Sequence, residues 1–336
     1  MLSLAALLPP ALHLPEMGAA APPTRSAAAP MLEPLVDRRS LVTLACLAPG
    51  LMMAPPALAA EVKLKNFPGS LSSDVVDEAV WKSLSARGYT KENTLFGMSV
   101  CSDEVNFFEK ELIDLMKRRW GESFSLGGLA GVPFAGKAGL SAYAHHVPDE
   151  GKLFILFAPH VGVGLNGKVG ALERDGIAET SSACGAAVGA YKTLKNKPGA
   201  AKSTMDDLAD LQFDYIKYKL SSKLDGISNA QDDLAFVTYQ MYQMVRDAMM
   251  EEIAAVPGIW DDCSELAVLG GIQINRFEGG DAFQPLMFQT TTKEGKTTNL
   301  YPSTFGDVPD LTGVLGSRPL SDRVVAATLG AYNAYG

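Results

Sequence analysis

The sequence is short of the residues that do most polar chemistry. Four cysteines in 336 residues are too few for a disulfide scaffold. Histidine is as scarce, with only His13, His145, His146 and His160. Basic side chains number 29 against 38 acidic ones, a net charge of −9. That deficit excludes a phosphate-backbone binder, because affinity for nucleic acid needs a surplus of Lys and Arg. Charge is sparse altogether, 20% against 47% hydrophobic residues, which excludes bulk disorder. A complete P-loop is missing too. Gly131 to Lys137 nearly spells one, but Ala138 lacks the hydroxyl that would hold Mg²⁺ and Pro133 removes a backbone donor. That stretch reads as a tight loop lining a cavity.

What is present divides into two parts. Residues 1–60 hold only Glu16, Glu33 and Asp37 against Arg25, Arg38 and Arg39, so nearly all the net charge belongs to residues 61–336. Within the first part, Asp37-Arg38-Arg39-Ser40 precedes an uncharged run that ends Ala57-Leu58-Ala59-Ala60. A basic start, an apolar middle and a small-residue exit make 37–60 a twin-arginine-like translocation signal, cleaved near Ala60. The alternative is a membrane anchor, since about 20 apolar residues span a bilayer. Pro49, Pro55 and Pro56 break the run as a helix, and the small exit has no role in an anchor. Residues 1–36, rich in Ala, Pro, Ser and Arg, read as an organelle-import segment ahead of that signal. Such a tandem addresses a protein to a plastid and then the thylakoid lumen, with the stroma as alternative. Residues 61–336 are expected to form one α/β domain with no further membrane span.

Along that domain the apolar spacing predicts a helix over 73–87 stopped by Gly88, a strand over 93–100, and a helix over 102–120. A glycine-rich loop over 127–139 follows, then a buried strand over 153–158 and a turn at Asn166-Gly167. Ser181 and Ser182 read as caps of a helix that runs to 194. Two long amphipathic helices, 204–220 and 228–255, carry Met and aromatic stripes that read as core or an oligomer face. Strands over 265–275 and 282–292 complete an α/β fold with a largely parallel central sheet flanked by helices.

The histidines of this domain all lie within 145–160, and Cys101 and Cys184 flank that window. Cys101 and His160 each follow a strand, and Cys184 begins a helix. In a parallel sheet these positions gather on one edge. Two thiolates and an imidazole suit zinc with an open fourth position. By spacing alone the other reading, buried structural cysteines and a capped histidine, stands ahead of zinc. Cys263 reads as structural.

The motifs decide between them. Cys101-Ser102-Asp103 resembles the Cys-x-Asp-x-Arg opening of β-type carbonic anhydrases. Ala144-His145-His146-Val147-Pro148-Asp149, Phe157-Ala158-Pro159-His160-Val161-Gly162, Ser182-Ala183-Cys184-Gly185-Ala186 and Gly270-Gly271-Ile272-Gln273-Ile274-Asn275 resemble the LCIB-type, limiting-carbon-dioxide-inducible family of algae. That family is grouped with theta carbonic anhydrases, and the resemblance spans about residues 70–320.

The resemblance implies a β-carbonic-anhydrase-like sheet, a homodimer, and Zn²⁺ on Cys101, His160 and Cys184. It implies reversible hydration of carbon dioxide to bicarbonate within an algal carbon-concentrating system, and a substrate pocket walled by Phe134 and its loop. The alternative within the family is a catalytically silent LCIB-like scaffold or inorganic-carbon-responsive subunit. Val105 stands where β-type enzymes have the arginine that restrains the aspartate. Asp103 therefore needs another cation, for which Arg174 is chosen because its segment passes the same sheet edge. A solvated Arg174 paired with Glu173 or Asp175 is the other reading. His145 or His146 is expected to shuttle the proton, since imidazole titrates near the working pH.

Overall fold

The computed structural model describes residues 61–201, 209–224, 232–256 and 258–315. Both targeting segments, 1–36 and 37–60, lie outside the described residues. The elements run β1 (Leu71–Ser72), α1 (Ser73–Ser85), β2 (Thr94–Val100), α2 (Leu112–Trp120), β3 (Phe124–Ser125), α3 (Gly136–Ala144), β4 (Gly151–Ala158), β5 (His160–Val163), β6 (Ala171–Leu172), β7 (Ser181–Ser182) and α4 (Gly185–Asn196). They continue with α5 (Leu211–Ser221), α6 (Asp233–Ala255), α7 (Ile259–Asp262), β8 (Cys263–Arg276), β9 (Ala282–Thr292), β10 (Thr297–Asn299), α8 (Tyr301–Phe305) and α9 (Thr312–Leu315).

The central sheet is ordered β1-β9-β8-β4-β2-β3, with β5 also on β8 and β10 on β9. β3, β2, β4, β5 and β8 are mutually parallel, and β9 is antiparallel to β8. β4 shows why the parallel part is stable. Leu153, Ile155 and Phe157 enter one core, while Phe154, Leu156 and Ala158 enter the other. A strand buried on both faces needs an unbroken apolar run, and this one has it. α3, α4, α5 and α6 cover the first face; α1, α2 and α8 cover the second. The Met and aromatic stripe of α6 belongs to the first core, where Tyr242 stacks on Phe157 with ring centroids 5.9 Å apart.

β8 is long enough to serve two partners in turn. Its first half pairs with β4, and after Pro159 its second half pairs with β5. Pro159 has no N–H to give, but its carbonyl accepts from the Gln273 N–H at 3.0 Å, so the ladder continues across the break. The register of β8 on β9 shifts between Gly270 and Gly271. A Cβ at Gly270 would stand 2.2 Å from the Phe157 ring, and one at Gly271 would stand 2.3 Å from the Gln284 carbonyl. Both glycines are there to let rings and backbone close in.

Four local expectations need correction. The helix expected over 102–120 is a short 3₁₀ turn at Glu104–Phe107 followed by α2, which begins only at Leu112. Lys110 sits at φ +68° between them, and Phe108 is exposed. The loop over 127–139 contains a 3₁₀ turn, Leu129–Gly131, and α3 already starts at Gly136. Ser181 and Ser182 do not cap α4; they form β7 against β6, and Cys184 is itself the N-cap residue. The long helices begin later than read: α5 at Leu211, and α6 at Asp233, where the Asp232 carboxylate accepts from the Leu234 and Ala235 N–H groups. Residues 204–208 and 228–231 of those readings lie outside the described residues. Among the described residues no helix is long and apolar enough to cross a membrane.

Candidate metal centre

Parallel β2 and β4 end side by side, with Val100 opposite Ala158. The next residue of one is Cys101, and two past the end of the other is His160. α4 starts at the same edge with Cys184 at its N-cap. All three side chains are buried, and their ligating atoms lie within 4.8 Å of one another.

The donor set fits a tetrahedral zinc. Two sulfurs each roughly 2.3 Å from such an ion stand about 3.8 Å apart, and the Cys101 and Cys184 Sγ atoms are 3.8 Å apart. The His160 Nε2 is buried and has no hydrogen-bond partner among the described residues, which leaves its lone pair available to a metal. Burial opposes a charge on the imidazole, yet Cys101, Asn275 and Asp103 outweigh it and lift His160 above its ordinary value. The Cys184 thiol is pulled down, first by Cys101 and also by the Ala187 and Ala186 amides, against the effect of burial. Cys101 is correspondingly pushed up by Cys184 and burial.

The backbone around the thiolates is held from the far side. The Ala130 N–H points at the Cys101 Sγ from 3.2 Å, and Ala130 takes a φ of +57° to do so. Gly131 follows at φ +80°, so close to β4 that a Cβ would stand 2.4 Å from the Ala158 carbonyl. Its own carbonyl accepts from the Ser99 hydroxyl at 2.9 Å. On the other side, the Gln212 side-chain carbonyl accepts from the Leu129 N–H at 2.9 Å. Phe134 flanks this loop and packs edge-on against Tyr215, with centroids 5.4 Å apart.

Asp103 stands between the cluster and Arg174. One of its oxygens is 3.2 Å from Arg174 Nη2 and the other is 3.6 Å from His160 Nε2. Arg174 lies on the β6–β7 hairpin. Its Nε donates to Glu104 at 2.8 Å, and its Nη1 contacts the Ser181 hydroxyl and the Ser182 carbonyl. Burial and the adjacent Glu104 push the Asp103 carboxyl up, while His160 and Arg174 oppose them. Glu104, largely exposed, is pulled down to about 2 by its hydrogen bonds with Asp103 and Arg174. The solvated pairing of Arg174 with Glu173 or Asp175 is not what the structure shows.

His145 and His146 are not brought to this cluster. They end α3, ahead of β4, where both are exposed. His145 faces Asp262, just before β8, at 3.8 Å, and the His146 Nδ1 contacts the Ala142 carbonyl at 2.6 Å. The eight residues of β4 separate that edge from His160, about 25 Å at roughly 3.3 Å per residue. Adjacency in sequence placed them on the wrong end of a strand. Cys263 also lies at that far edge, buried, its thiol donating to the Glu265 carbonyl at 3.3 Å.

Sequence reasoning missed the partners behind His160. Its Nδ1 is 2.7 Å from the Asn275 Oδ1, and the Asn275 amide nitrogen donates to Asp281 at 2.8 Å and to the Val105 carbonyl at 3.2 Å. The signal was available: Gln273 and Asn275 are polar residues at alternate positions of an otherwise apolar strand, and both are buried.

With this geometry in hand, the comparisons are specific. The family model described as limiting CO2-inducible proteins B/C beta carbonic anhydrases matches residues 70–292. The crystal structure of PtLCIB4, a homolog of the limiting CO2-inducible protein LCIB, superposes with a TM-score of 0.64 at 33% identity, covering 70% of this chain and 96% of that one. A histidine-to-alanine mutant of PtLCIB4 gives 0.65 at 32% identity, covering 71% and 96%. LCIB gives 0.56 at 22% identity over 70% of this chain and 95% of its own, a likeness of fold. No curated protein matches.

Proposed function

Because this chain belongs to the limiting CO2-inducible B/C family of β-type carbonic anhydrases, we propose that it catalyses the reversible hydration of carbon dioxide to bicarbonate. Zinc is the metal we assign, on Cys101, His160 and Cys184. The observation that carries the reading is the buried Cys–His–Cys cluster, with sulfurs at tetrahedral-zinc spacing and an unpartnered imidazole nitrogen. Bound there, zinc would lower the pKa of a coordinated water from 15.7 to about 7.

The remaining work falls to the chain's own residues. Arg174 holds Asp103 by one oxygen and so keeps that carboxylate from swinging fully onto the metal position. This is the task of the arginine that Val105 replaces. The glycine-rich loop fixes Cys101 through the Ala130 N–H, and Phe134 beside it supplies an apolar wall for a substrate without charge. Glu104, whose side chain is 65% exposed, accepts from the Arg174 Nε at 2.8 Å and helps hold that guanidinium in place. His145 and His146, a strand's length from His160, lie too far away to shuttle a proton.

A second reading, a silent scaffold or carbon-responsive subunit, draws on the same aspartate. The free oxygen of Asp103 is already 3.6 Å from His160 Nε2, close enough for a small rotation to occupy the fourth position. Stopped-flow measurement of carbon dioxide hydration by the purified, zinc-loaded protein separates the two. Turnover well above the buffer rate supports the enzyme; a zinc-replete protein without turnover supports the scaffold.

We further assign a homodimer and a thylakoid-lumen address in an algal carbon-concentrating system, with the stroma as the alternative address. Phe107, Phe108, Leu165, Ile177 and Phe277 are exposed apolar side chains that a second copy would cover. Light scattering on the processed chain tests the dimer, and a strict monomer contradicts it. The address rests on Arg38-Arg39 and the exit at Ala60. Replacing both arginines by Lys should block the final translocation, and undiminished lumenal protein would refute it.

A further inference from the structure

His160 is held by more than its strand. It begins β5, in parallel register with Gln273 of β8, and Asn275 lies opposite Gly162, two positions on. Side chains two apart share a face, which brings the Asn275 amide against the imidazole. The orientation of that amide is over-determined. Its nitrogen has two acceptors, the Val105 carbonyl and the Asp281 carboxylate. A flipped amide would turn its oxygen toward both of them and leave three acceptors facing one another. The oxygen therefore faces His160, and an amide oxygen only accepts. The 2.7 Å contact requires the proton on Nδ1.

Asp281 is itself fixed. It is buried, and its Oδ1 accepts from the Arg276 N–H at 3.0 Å. Gly279 and Gly280, at φ +78° and +72°, turn the chain back so that the carboxylate meets the end of the strand that carries Asn275. Carboxylate, amide and imidazole thus form a buried line, each group oriented by the one behind it.

We infer that Asn275, backed by Asp281, is a positioning residue that sets the tautomer of His160 and so keeps the Nε2 lone pair permanently aimed at the metal position. The second half of this inference rests on the zinc reading above; the first does not. The same line also stiffens the ring against rotation about its Cβ–Cγ bond, because a rotated imidazole would break the bond to Asn275.

The test uses the full chain, metal-free, at mildly alkaline pH, with ¹⁵N-labelled histidine. Only four histidines are present, so long-range ¹⁵N–¹H correlation resolves each ring, and His160→Gln assigns the signal. Wild-type His160 should show the Nδ1–H pattern, and Asn275→Ala should show a mixture of tautomers. Zinc affinity, read by competition with a chelator, should fall about 10–100-fold in Asn275→Ala, with Asp281→Asn at the lower end of that range. Val268→Ala, in the same strand but away from the relay, controls for lost stability. It should lower the melting temperature and leave tautomer and affinity alone. An Nε2–H pattern in the wild type would overturn the inference, as would an unchanged tautomer and affinity in Asn275→Ala. Should Asn275→Ala fail to fold, Asp281→Asn and the wild-type tautomer still decide it. If the wild type binds no zinc, the proposed activity fails, while the tautomer measurement still judges the relay.

Discussion

Arg174 and Asp103 are 71 positions apart in the chain and 3.2 Å apart in space. The guanidinium also takes Glu104, Ser181 and the Ser182 carbonyl, so it is tied to the β6–β7 hairpin at one end and to the Cys101 turn at the other. An arginine with this many partners is a fixed object, and Asp103 is fixed with it.

Removing Arg174 should therefore free Asp103 to close the metal position. Arg174→Ala is expected to retain zinc and to lose about 10–100-fold in hydration activity. The double variant Asp103→Ala/Arg174→Ala should recover part of that loss, since the closing ligand is gone. Wild-type activity in Arg174→Ala would mean that another group restrains Asp103. Arg174→Lys should rescue poorly, because an ammonium cannot hold Asp103 and Glu104 with one planar fork.

Zinc content tests the ligand set directly. The chain should carry about one zinc, and Cys184→Ala should lose it, leaving only one sulfur and one nitrogen of the three donors. Elemental analysis after gel filtration reads the outcome. A full complement in that variant would remove Cys184 from the set.

Gly131 offers a test of the loop behind Cys101. In Gly131→Ala the new methyl would stand 2.4 Å from the Ala158 carbonyl at a φ of +80°, so the backbone must shift. We expect a destabilisation of about 2 kcal/mol or more by urea unfolding of the metal-free protein. The Ala130 N–H should move off the Cys101 sulfur with it, and zinc affinity should drop. Affinity equal to wild type would show that this N–H does not matter to the metal.

Glu252 carries a pH dependence away from the metal. Burial and Glu251 lift its carboxyl to about 7, partly offset by Lys137. The folded chain then holds a proton there that the unfolded chain has released. This group's contribution is fully present below about pH 4.5 and is lost as pH rises through 7. Glu252→Gln should leave stability unchanged near pH 4 and raise it by roughly 1 kcal/mol near pH 8, a figure discounted for its partial exposure. Urea midpoints at the two pH values check this. An equal gain at both would point to packing instead of charge.

The long strands were legible because their apolar runs admit one reading. The run over 282–292 coincides with β9, and β8 extends the run read over 265–275 by two residues at one end and one at the other. Short polar segments were not. Ser181 and Ser182 have the composition of a helix cap, and only the pairing of β6 with β7 makes them a strand. The break at Lys110 depends on a backbone angle that no side chain announces. At the site, the ligands were readable as residue types at element ends. Their support was not, since the Ala130 N–H is a backbone group and Asn275 looks like any polar residue near a strand end. His145 and His146 show the reverse failure, conspicuous residues close in sequence to His160 and a strand's length from it.

Pro159 leaves β8 in contact with two successive strands on one side, and this makes the region intolerant of changes in length. A single residue inserted or deleted between Ala158 and His160 would turn the imidazole to the opposite face of the sheet, away from both sulfurs and from Asn275. The turn at Gly164–Gly167, closed by one N–H to carbonyl bond of 2.8 Å, is a different case. Residues added there lengthen a loop whose closure costs little more as it grows, while Gly162 and Ala171 keep their contact. The spacing from Cys101 to His160 is thus rigid at its last step, and the spacing from His160 to Cys184 can lengthen at this turn.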